Sequence, residues 1–500
     1  MQRPDVVKFK GRLALVNHGL TPHQAMVEDL LFVRRVLEAA ELDYLFVRGN
    51  DERPVIAVDV SDRQTLREAL VAACAEEPFY AKPVDVKKGK TELLADGSLS
   101  SNSKARIFRL FRPRVVPESG LLYGPSTGVQ IELWSMHDSE EIVLPIENSI
   151  TRRTIRREDI VRGSVERFGL TWPAIENMFA DHATDINFDI DMVFSWVDGS
   201  SIEWQKARAA RMAGTVVGEG DESEARYRQI DELKYALRSV YMFAPWIRRI
   251  FIAADSPRPS WLADHPSVTF VRSEDFFADP SVLPTHNSQA VESQLQHIPG
   301  LAEHFLYSND DMFFGRPVGP DTFFSPGGVT KFIEASVRIG LGDTELGRSG
   351  YENAARVNRR LLQDRFGRTT TRHLEHAAAP LRKSVLLEME QEFAKEFKET
   401  SASTFRAASN ISVTNSLYHY YALMTGRAVV QQLAKVRYVD TTLRSGIRKM
   451  DSLLAKRSVD FFCLNDGSFP EIDAAERAEL VTDFLERYFP IKAPWEVDAD

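Results

Sequence analysis

Short apolar runs that end in polar residues recur between residues 189 and 311 of this chain. Four of them read IDMVFSWVDG, RRIFIAAD, SVTFVRSED and HFLYSNDD. Between them, apolar residues at three- and four-residue spacing predict helices at 230–243 and 288–298. Apolar runs separated by helices are typical of parallel strands buried on both faces. We therefore predict an α/β fold with a Rossmann-like, largely parallel sheet for residues 184–335.

The pattern of apolar and polar residues at 1–183 differs from that at 184–335 and predicts a separate N-terminal α/β domain. An amphipathic helical stretch around residues 26–37 precedes two strand-like runs, DYLFVRG and PVIAVDV, and GVQIELWSM follows at 128–136. No catalytic constellation stands out in these segments. We expect an accessory domain that packs against the rest or positions an acceptor.

The remaining sequence divides into a basic insert at 336–375 and a helical part at 376–500 that completes the catalytic domain. Between residues 338 and 383, ten Arg and Lys side chains stand against five carboxylates. The glycines at the start of this stretch predict a lid that closes over a diphosphate or guides an anionic acceptor. A solvated basic face is the alternative.

Composition narrows the class of protein. A chain of 500 residues with 43% hydrophobic and 27% charged residues is expected to fold into two or three domains. Its net charge of -10 argues against a nucleic-acid binder. Two distant cysteines favour a reducing compartment, and no apolar stretch has the length of a membrane span. We expect a cytoplasmic protein, with peripheral association at the inner face of the membrane as an alternative.

The polar ends of the four apolar runs point to a ligand site. In parallel sheets, ligands bind beyond the carboxyl ends of the strands, and each of these runs delivers a carboxylate there. Neither GxxxxGK[ST] nor a GxGxxG between a strand and a helix is present. A phosphate would therefore be held by arginines, histidines, a helix N-terminus or a metal.

The most informative segment is YSNDDMFF, which contains Asn309, Asp310 and Asp311. Adjacent carboxylates at a strand end suit Mg²⁺ or Mn²⁺, which take oxygen ligands and bridge to diphosphates. A solvated turn or a helix N-cap would use the same residue types.

Two further segments could bind phosphate. His286 and Asn287 precede a helix for which Ser288 is a plausible N-cap, and Glu292 lies four residues beyond it. On the earlier helix, Lys234 and Arg238 share one face beside Glu232 and suit a phosphate clamp, although an exposed helix face is the simpler alternative.

Taken together, these segments resemble the Stealth family of hexose-1-phosphate transferases. IDMVFSWVDG is similar to the family's first motif, and the stretch from Asp231 through LKYALRSV and RRIFIAAD to its second. LPTHNSQAVESQLQHIPGLAEHFLYSNDD is similar to the third and FFCLNDG at 461–467 to the fourth. The ordered series spans residues 189–467.

The resemblance implies a UDP-sugar donor, an oligosaccharide or polysaccharide acceptor, and a role in capsule or exopolysaccharide synthesis. An acceptor hydroxyl would attack the β-phosphorus, so that UMP leaves and hexose-1-phosphate, by resemblance N-acetylglucosamine-1-phosphate, is transferred. The alternatives are a metal-dependent glycosyltransferase that releases UDP and a non-catalytic protein that binds anionic glycans.

The resemblance also completes the set of expected site residues. Asp310, Asp311 and Asp466 are assigned to Mg²⁺ or Mn²⁺, and Arg238 and Arg406 to the phosphates. His376 is the preferred base, with Asp198 and His286 as rivals. The expected substrate-binding residues are Glu232, Lys234, Asn287, Glu292, Asn309, Asn358, Arg382 and Asn465.

Overall fold

The computed structural model describes residues 3–87, 89–97, 99, 104–136, 140–212, 230–467 and 470–497. The chain divides into two compact units, residues 1–182 and 183–500. Both units combine strands with helices, which confirms the predicted α/β class. Among the described residues, no helix has the length and apolar character needed to cross a bilayer.

The first unit is built on two larger sheets. Its strands are β1 (Val6–Phe9), β2 (Arg12–Val16), β3 (Tyr44–Arg48), β4 (Pro54–Asp59), β5 (Tyr80–Pro83), β6 (Glu92–Leu93), β7 (Ile107–Phe111), β8 (Arg114–Val116), β9 (Leu121–Tyr123), β10 (Val129–Trp134), β11 (Glu141–Val143), β12 (Thr154–Arg156), β13 (Arg162–Arg167) and β14 (Leu170–Ile175). Its helices are α1 (Pro22–Ala39) and α2 (Arg63–Ala73). The sheets have the orders β3-β4-β10-β7-β5-β6 and β1-β2-β8-β9, and β11-β12 and β13-β14 are hairpins.

The helix and strands predicted for this unit are confirmed. The helix begins after Thr21, whose hydroxyl accepts a hydrogen bond from the Gln24 backbone N–H while the Gln24 side chain accepts one from the Thr21 N–H. This capping box satisfies two backbone donors that a helix start leaves unpaired. Leu30, Val33 and Leu37 then form the buried face of α1.

The second unit contains the remaining elements. Its strands are β15 (Ile190–Ser195), β16 (Ile250–Ala253), β17 (Val268–Val271), β18 (His304–Asn309), β19 (Met312–Phe314), β20 (Thr330–Phe332), β21 (Glu334–Arg338), β22 (Arg372–Leu374), β23 (Ala379–Arg382), β24 (Ala428–Val430), β25 (Val436–Asp440) and β26 (Phe461–Asn465). Its helices are α3 (Ile202–Met212), α4 (Glu232–Phe243), α5 (Ser288–Glu292), α6 (Gly350–Phe366), α7 (Lys383–Glu392), α8 (Ala394–Ser401), α9 (Tyr418–Met424), α10 (Arg444–Lys456) and α11 (Ala474–Tyr488), with a π-helical turn at Val413–Leu417.

The central sheet of this unit has the order β17-β16-β15-β18-β23. The first four strands are parallel, and β23 runs antiparallel along the edge of β18. These strands are the apolar runs of the sequence, and β15, β16 and β18 are buried along nearly their whole length. The four polar run ends therefore meet at one edge of the sheet, as expected.

A second, three-stranded sheet with the order β19-β26-β25 adjoins this edge. Its strand β19 starts directly after the β18 turn and pairs antiparallel with β26. The Leu464 N–H donates to the Asp311 carbonyl oxygen at 2.9 Å. This pairing brings the FFCLND segment, distant in sequence, beside the Asn309–Asp311 turn.

Two helical predictions are only partly right. The segment 288–298 forms a short α5 and a 3-10 turn instead of one helix, because Gln294 leaves helical geometry at φ -119° and ψ 0° and Pro299 follows. Residues 376–500 contain β23 to β26 as well as helices. In the helical portion, Val385, Leu386, Met389, Phe393 and Phe397 are buried in the main core.

On α4, Arg238, which was predicted to be part of a phosphate clamp, pairs instead with the C-terminal segment. Its guanidinium forms a bidentate pair with Glu496, at 2.8 and 2.6 Å, and donates to the Phe489 carbonyl oxygen at 2.9 Å. Both charged side chains are buried, at 7% and 2% exposure. Arg238 therefore fixes the C-terminal segment to α4.

This arrangement predicts a stability effect for Arg238→Met. The substitution leaves the Glu496 carboxylate buried without its partner and should lower the free energy of unfolding by about 3–5 kcal/mol. Urea denaturation with an unchanged m value would measure the loss. Combining it with Glu496→Met should recover much of the loss, because no buried charge then remains unpaired. An Arg238→Met protein as stable as wild type would contradict the structural role.

Candidate active site

A cavity of about 320 Å³ opens at the carboxyl ends of the parallel strands. The ends of β15, β16, β17 and β18 contribute Ser195, Ala253, Ser273 and Asn309 to its wall. The residues predicted for the site that line this cavity are Glu232, His286, Asn287, Asn309, Asp310, Asp311, Arg406, Asn465 and Asp466. Segments from 232 to 466 in the sequence thus converge on one site.

Hydrogen bonds between neighbouring strand ends hold the wall in place. The Tyr307 hydroxyl lies 2.7 Å from Ser195 Oγ and donates to Asn309 Oδ1 at 3.0 Å. On the other side, Asp255 Oδ1 accepts a hydrogen bond from the Ser273 N–H at 2.8 Å. Tyr307 is buried, and its pKa is raised by burial and by the nearby Glu292 carboxylate. It therefore stays protonated and holds the strand ends together as a neutral donor.

Asp311 is the most perturbed carboxylate of the wall. Its Oδ2 accepts a hydrogen bond from the Cys463 thiol at 3.4 Å, whereas its Oδ1 is withdrawn from solvent without a hydrogen-bond partner. Burial raises the pKa of Asp311 to about 6, with smaller contributions from the carboxylates of Glu232 and Asp466. Such an environment disfavours the charged form unless a cation is present.

Asp466 is held in a defined orientation on the same wall. Its Oδ1 accepts a hydrogen bond from the Thr441 hydroxyl, and its Oδ2 lies 3.6 Å from the Arg477 guanidinium. Beside it, Asn465 donates from Nδ2 to the Tyr438 hydroxyl at 2.5 Å. The β26 strand end thus presents oriented oxygen atoms to the cavity.

The donor set fits a hard cation only in part. Asp310, Asp311 and Asp466 offer carboxylate oxygens, which Mg²⁺ prefers, and the partnerless Asp311 Oδ1 is available to it. Within the described ranges, however, no three His, Cys, Asp or Glu side chains form a group that could hold a metal ion by themselves. Mg²⁺ is commonly bound by one or two carboxylates, substrate phosphates and water, so this wall suits an ion that arrives with its substrate.

A loop that carries Arg406 closes the opposite wall. Asn287 caps α5 by accepting from the Gln289 N–H at 3.1 Å, and its Nδ2 donates to the buried Asn410 Oδ1 at 2.9 Å. The His286 N–H donates to the Thr404 carbonyl oxygen. Arg406 itself donates to the Ser288 hydroxyl at 2.9 Å. Asn287, and not Ser288 as predicted, is the N-cap, and it positions the Arg406 loop.

His286 is a neutral imidazole at neutral pH. Its ring stacks on Phe405 with centroids 5.5 Å apart and planes 15° apart. Burial, together with the positive charges of Arg211 and Arg208, lowers the pKa of His286 to about 4. The neutral ring can accept a hydrogen bond or a proton, as a base requires.

Two predicted residues lie just behind this cavity. Glu292 is fully buried, accepts a hydrogen bond from the Thr414 hydroxyl at 2.7 Å, and has a pKa raised by burial. His376 packs against Tyr438, with ring centroids 5.2 Å apart, and burial lowers its pKa. His376 does not line the cavity. It contacts Tyr438, which accepts a hydrogen bond from the lining residue Asn465.

Other predicted residues lie elsewhere. Asp198 and Lys234 line a separate cavity. Asn358 donates to the Ser412 carbonyl oxygen and the Ser416 hydroxyl within the core. Arg382 pairs with Glu303 at the amino end of β18, about 17 Å from Asn309 at ~3.3 Å per residue. The structure thus gives Asn358 and Arg382, predicted as substrate-binding residues, partners within the fold and places neither on the cavity wall. The basic insert contributes no residue to the cavity wall.

Several lining residues were not predicted. Ser195, Trp196 and Asp255 follow directly from the rule that strand ends line the site, so the sequence contained the signal. Arg208 lies on α3 in the segment ARAARM, which reads as part of an ordinary amphipathic helix. Phe405 becomes recognisable only through its stacking on His286.

Comparison with known proteins agrees with this geometry. Models of the four Stealth conserved regions match the second unit in order, region 1 at 188–216, region 2 at 226–332, region 3 at 375–423 and region 4 at 451–500. The exopolysaccharide phosphotransferase CpsY of Mycobacterium tuberculosis H37Rv is 59% identical over 493 residues, which are 99% of this chain and 92% of that protein. The chain belongs to the Stealth family.

Other relatives extend the comparison. An exopolysaccharide phosphotransferase of Nocardia farcinica is 54% identical over 96% of this Stealth chain and 88% of its own length. Exopolysaccharide phosphotransferase SCO6023 of Streptomyces coelicolor is 36% identical over 97% of this chain and 85% of its own length. These matches include the first unit, which none of the four conserved regions covers.

A solved structure of the galactosyltransferase LgtC, with donor and acceptor sugar analogues, aligns to 59% of this chain and 95% of its own. The sequence identity is 12% and the TM-score 0.29. A similarity this weak establishes neither a shared fold nor a shared activity.

The environment of His286 predicts a pH effect on stability. An unfolded histidine titrates near 6.5, whereas His286 in the folded protein has a pKa of about 4. The unfolded state therefore binds the extra proton first, and the contribution of His286 is present above pH 6.5 and lost as the pH falls toward 4. The stability of wild type relative to His286→Gln should decline over that window, measured by urea denaturation. A difference that is constant with pH would contradict the lowered pKa.

Proposed function

We propose that the protein transfers hexose-1-phosphate from a UDP-sugar to a glycan hydroxyl in exopolysaccharide synthesis, with N-acetylglucosamine-1-phosphate as the expected group. Membership of the Stealth family and the names of the relatives support a sugar phosphotransferase. The single observation that carries the proposal is that Asp310, Asp311, Asp466, Arg406 and His286 line one cavity at the sheet edge.

The proposed reaction breaks a phosphoanhydride bond and forms a phosphoester bond at the same phosphorus. The acceptor oxygen attacks the β-phosphorus, the bond from this phosphorus to the UMP oxygen breaks, and the hydroxyl proton passes to a base. Because the bond between the sugar and its phosphate is not broken, the anomeric configuration is kept. Phosphoryl transfer depends chiefly on positioning and on stabilisation of charge on the phosphate oxygens.

The carboxylate wall would hold Mg²⁺ or Mn²⁺. We assign the ion to Asp311 and Asp310, with Asp466 on the same cavity wall, because Asp311 Oδ1 has no hydrogen-bond partner of its own. When bound, the ion would neutralise the diphosphate and the leaving UMP. The carboxylates of this wall would otherwise repel a dianionic donor.

The cationic and imidazole groups complete the proposed site. Arg406, held by Ser288 and by the Asn287 clamp, would orient the phosphate, and Arg208 adds positive charge on the same cavity. For the base, neutral His286 is better placed than His376, because only His286 lines the cavity. Asp198, from the neighbouring cavity, is the rival base.

Product identity tests the proposal. UDP-N-acetylglucosamine labelled in its β-phosphate, incubated with the protein, a divalent metal and an oligosaccharide panel, should give unlabelled UMP and a labelled glycan. A panel of other UDP-sugars would identify the preferred donor. Labelled UDP would indicate a conventional glycosyltransferase instead. A protein that binds glycans but consumes no UDP-sugar would support a non-catalytic function.

Asp311→Asn should separate activity from stability. The substitution keeps the shape and an acceptor for the Cys463 thiol but removes the negative charge that the ion requires. We expect a loss of UMP release of at least about 100-fold. The thermal midpoint should be equal or higher, because a charged oxygen without a partner is replaced.

The exposed Asp451 on α10 provides the matched control, since Asp451→Asn makes the same chemical change far from any proposed role. It should leave both quantities unchanged. Activity of Asp311→Asn close to wild type would exclude Asp311 as a metal ligand.

A further inference from the structure

A second cavity, of about 400 Å³, shares Trp196 with the first. Its other lining residues include Asp198, Lys234, Arg258, Trp261 and Lys492. Asp198 stands on the loop after β15, and Lys234 on the first turn of α4. A ligand here would therefore lie beside the proposed donor site.

Trp196 brings an unpaired hydrogen-bond donor to the junction of the two cavities. The residue is only 7% exposed, and its indole N–H is buried without a hydrogen-bond partner. Buried polar groups are almost always paired, because an unpaired one loses its hydrogen bonds to water without gaining others. A partnerless donor in the wall of two cavities is best explained by an acceptor oxygen that a bound ligand supplies.

The charges of the second cavity differ from those of the first. Among the side chains that line it, Lys234 and Lys492 are matched by Asp198 and Asp231. Arg258 forms an ion pair with Asp264, and Glu496 is neutralised by Arg238. This near balance suits a neutral ligand. The first cavity has Arg208 and Arg406 against five carboxylates, so it suits a diphosphate that binds together with a divalent cation.

The aromatic surface of the second cavity is held rigidly. The Trp261 indole N–H donates to Asp231 Oδ1 at 3.2 Å, and prolines at 257 and 259 restrict the loop that precedes it. Trp261 is 5% exposed, so its ring is fixed by packing. Apolar ring faces beside a few carboxylate and ammonium groups suit a ligand that has both apolar C–H faces and hydroxyls.

We propose that this second cavity binds the acceptor, a neutral sugar residue of the growing glycan, and presents its hydroxyl past Trp196 to the first cavity. The inference rests on the proposed function and adds the location and the chemical class of the acceptor. Trp261 would pack against the sugar, Lys234 and Asp198 would hydrogen-bond its hydroxyls, and the Trp196 N–H would hold an oxygen at the junction.

Steady-state kinetics with both substrates varied would test the assignment. Lys234→Gln replaces the ammonium group by a shorter, uncharged amide, and Ser260→Trp fills the cavity from an exposed position. Both should raise the KM for the oligosaccharide that best stimulates UMP release by at least about tenfold and leave the KM for UDP-N-acetylglucosamine within about twofold. Lys395→Gln, on an exposed face of α8, is the matched control.

Trp261→Ala should likewise raise the KM for the oligosaccharide and leave the KM for the UDP-sugar nearly unchanged. Trp261→Phe should restore most of the acceptor affinity because it keeps a ring. Because Trp261 is buried, the thermal midpoint of each variant is measured first. If Trp261→Ala does not fold, the KM values of Ser260→Trp still test the proposal. A raised KM for the donor instead would place the uracil base in this cavity, and unchanged KM values would exclude a substrate there. Either result overturns the proposal.

A binding measurement distinguishes failure of the proposed function from failure of the acceptor-site inference. If wild type releases no UMP from any UDP-sugar, calorimetric titration with oligosaccharides released by mild acid from the host's own exopolysaccharide still tests the cavity. Binding to wild type that Ser260→Trp abolishes would support a glycan site without the transferase activity. Equal binding by both proteins, or none by wild type, would overturn it.

Discussion

The parallel pairing of β15 with β18 is the constraint on which the rest of the second unit depends. It places Ser195 opposite Asn309, so that both strands end at the same level. A slip of one residue would turn the side chains of a strand to the opposite face and bury the wrong set. The Tyr307 hydroxyl fixes this register at the edge by contacting Ser195 and Asn309 together. The turn that follows carries Asp310 and Asp311, and in this register both residues line the cavity.

The cavity wall is built at some cost to stability. Asp311 keeps one oxygen without a hydrogen-bond partner, and the nearby carboxylates of Glu232 and Asp466 make its ionisation less favourable. Neighbouring interactions hold this wall in place, notably the β19–β26 pairing and the contact of Asp466 with Arg477. A rigid frame that holds like charges together is the arrangement expected where a cation or a ligand supplies the missing interaction.

Local sequence patterns predicted those features of the fold that depend on residues close together in the chain. The strands β15 to β18, the helix α4 and the convergence of strand ends all follow from periodicity and from the geometry of parallel sheets. The role of Arg238 did not follow, because its partner Glu496 lies 258 residues further along the chain. Helical spacing shows that Lys234 and Arg238 share a face, but not that the C-terminal segment covers one end of it. Asn358 and Arg382 likewise pair with residues distant in the sequence, Ser416 and Glu303, which local patterns do not reveal.

The two cavities on either side of Trp196 explain why charge is distributed as it is in an acidic protein. A diphosphate needs positive charge, yet a uniformly basic cleft would also attract unrelated polyanions. Here the cationic groups Arg208 and Arg406 stand on the first cavity together with its carboxylates, and in the second cavity Lys234 and Lys492 are balanced by acids. Binding of an anion then requires the cation and the arginines together, whereas a neutral sugar needs only shape and hydrogen bonds. The basic insert, which lines neither cavity, contributes nothing to this selection at close range.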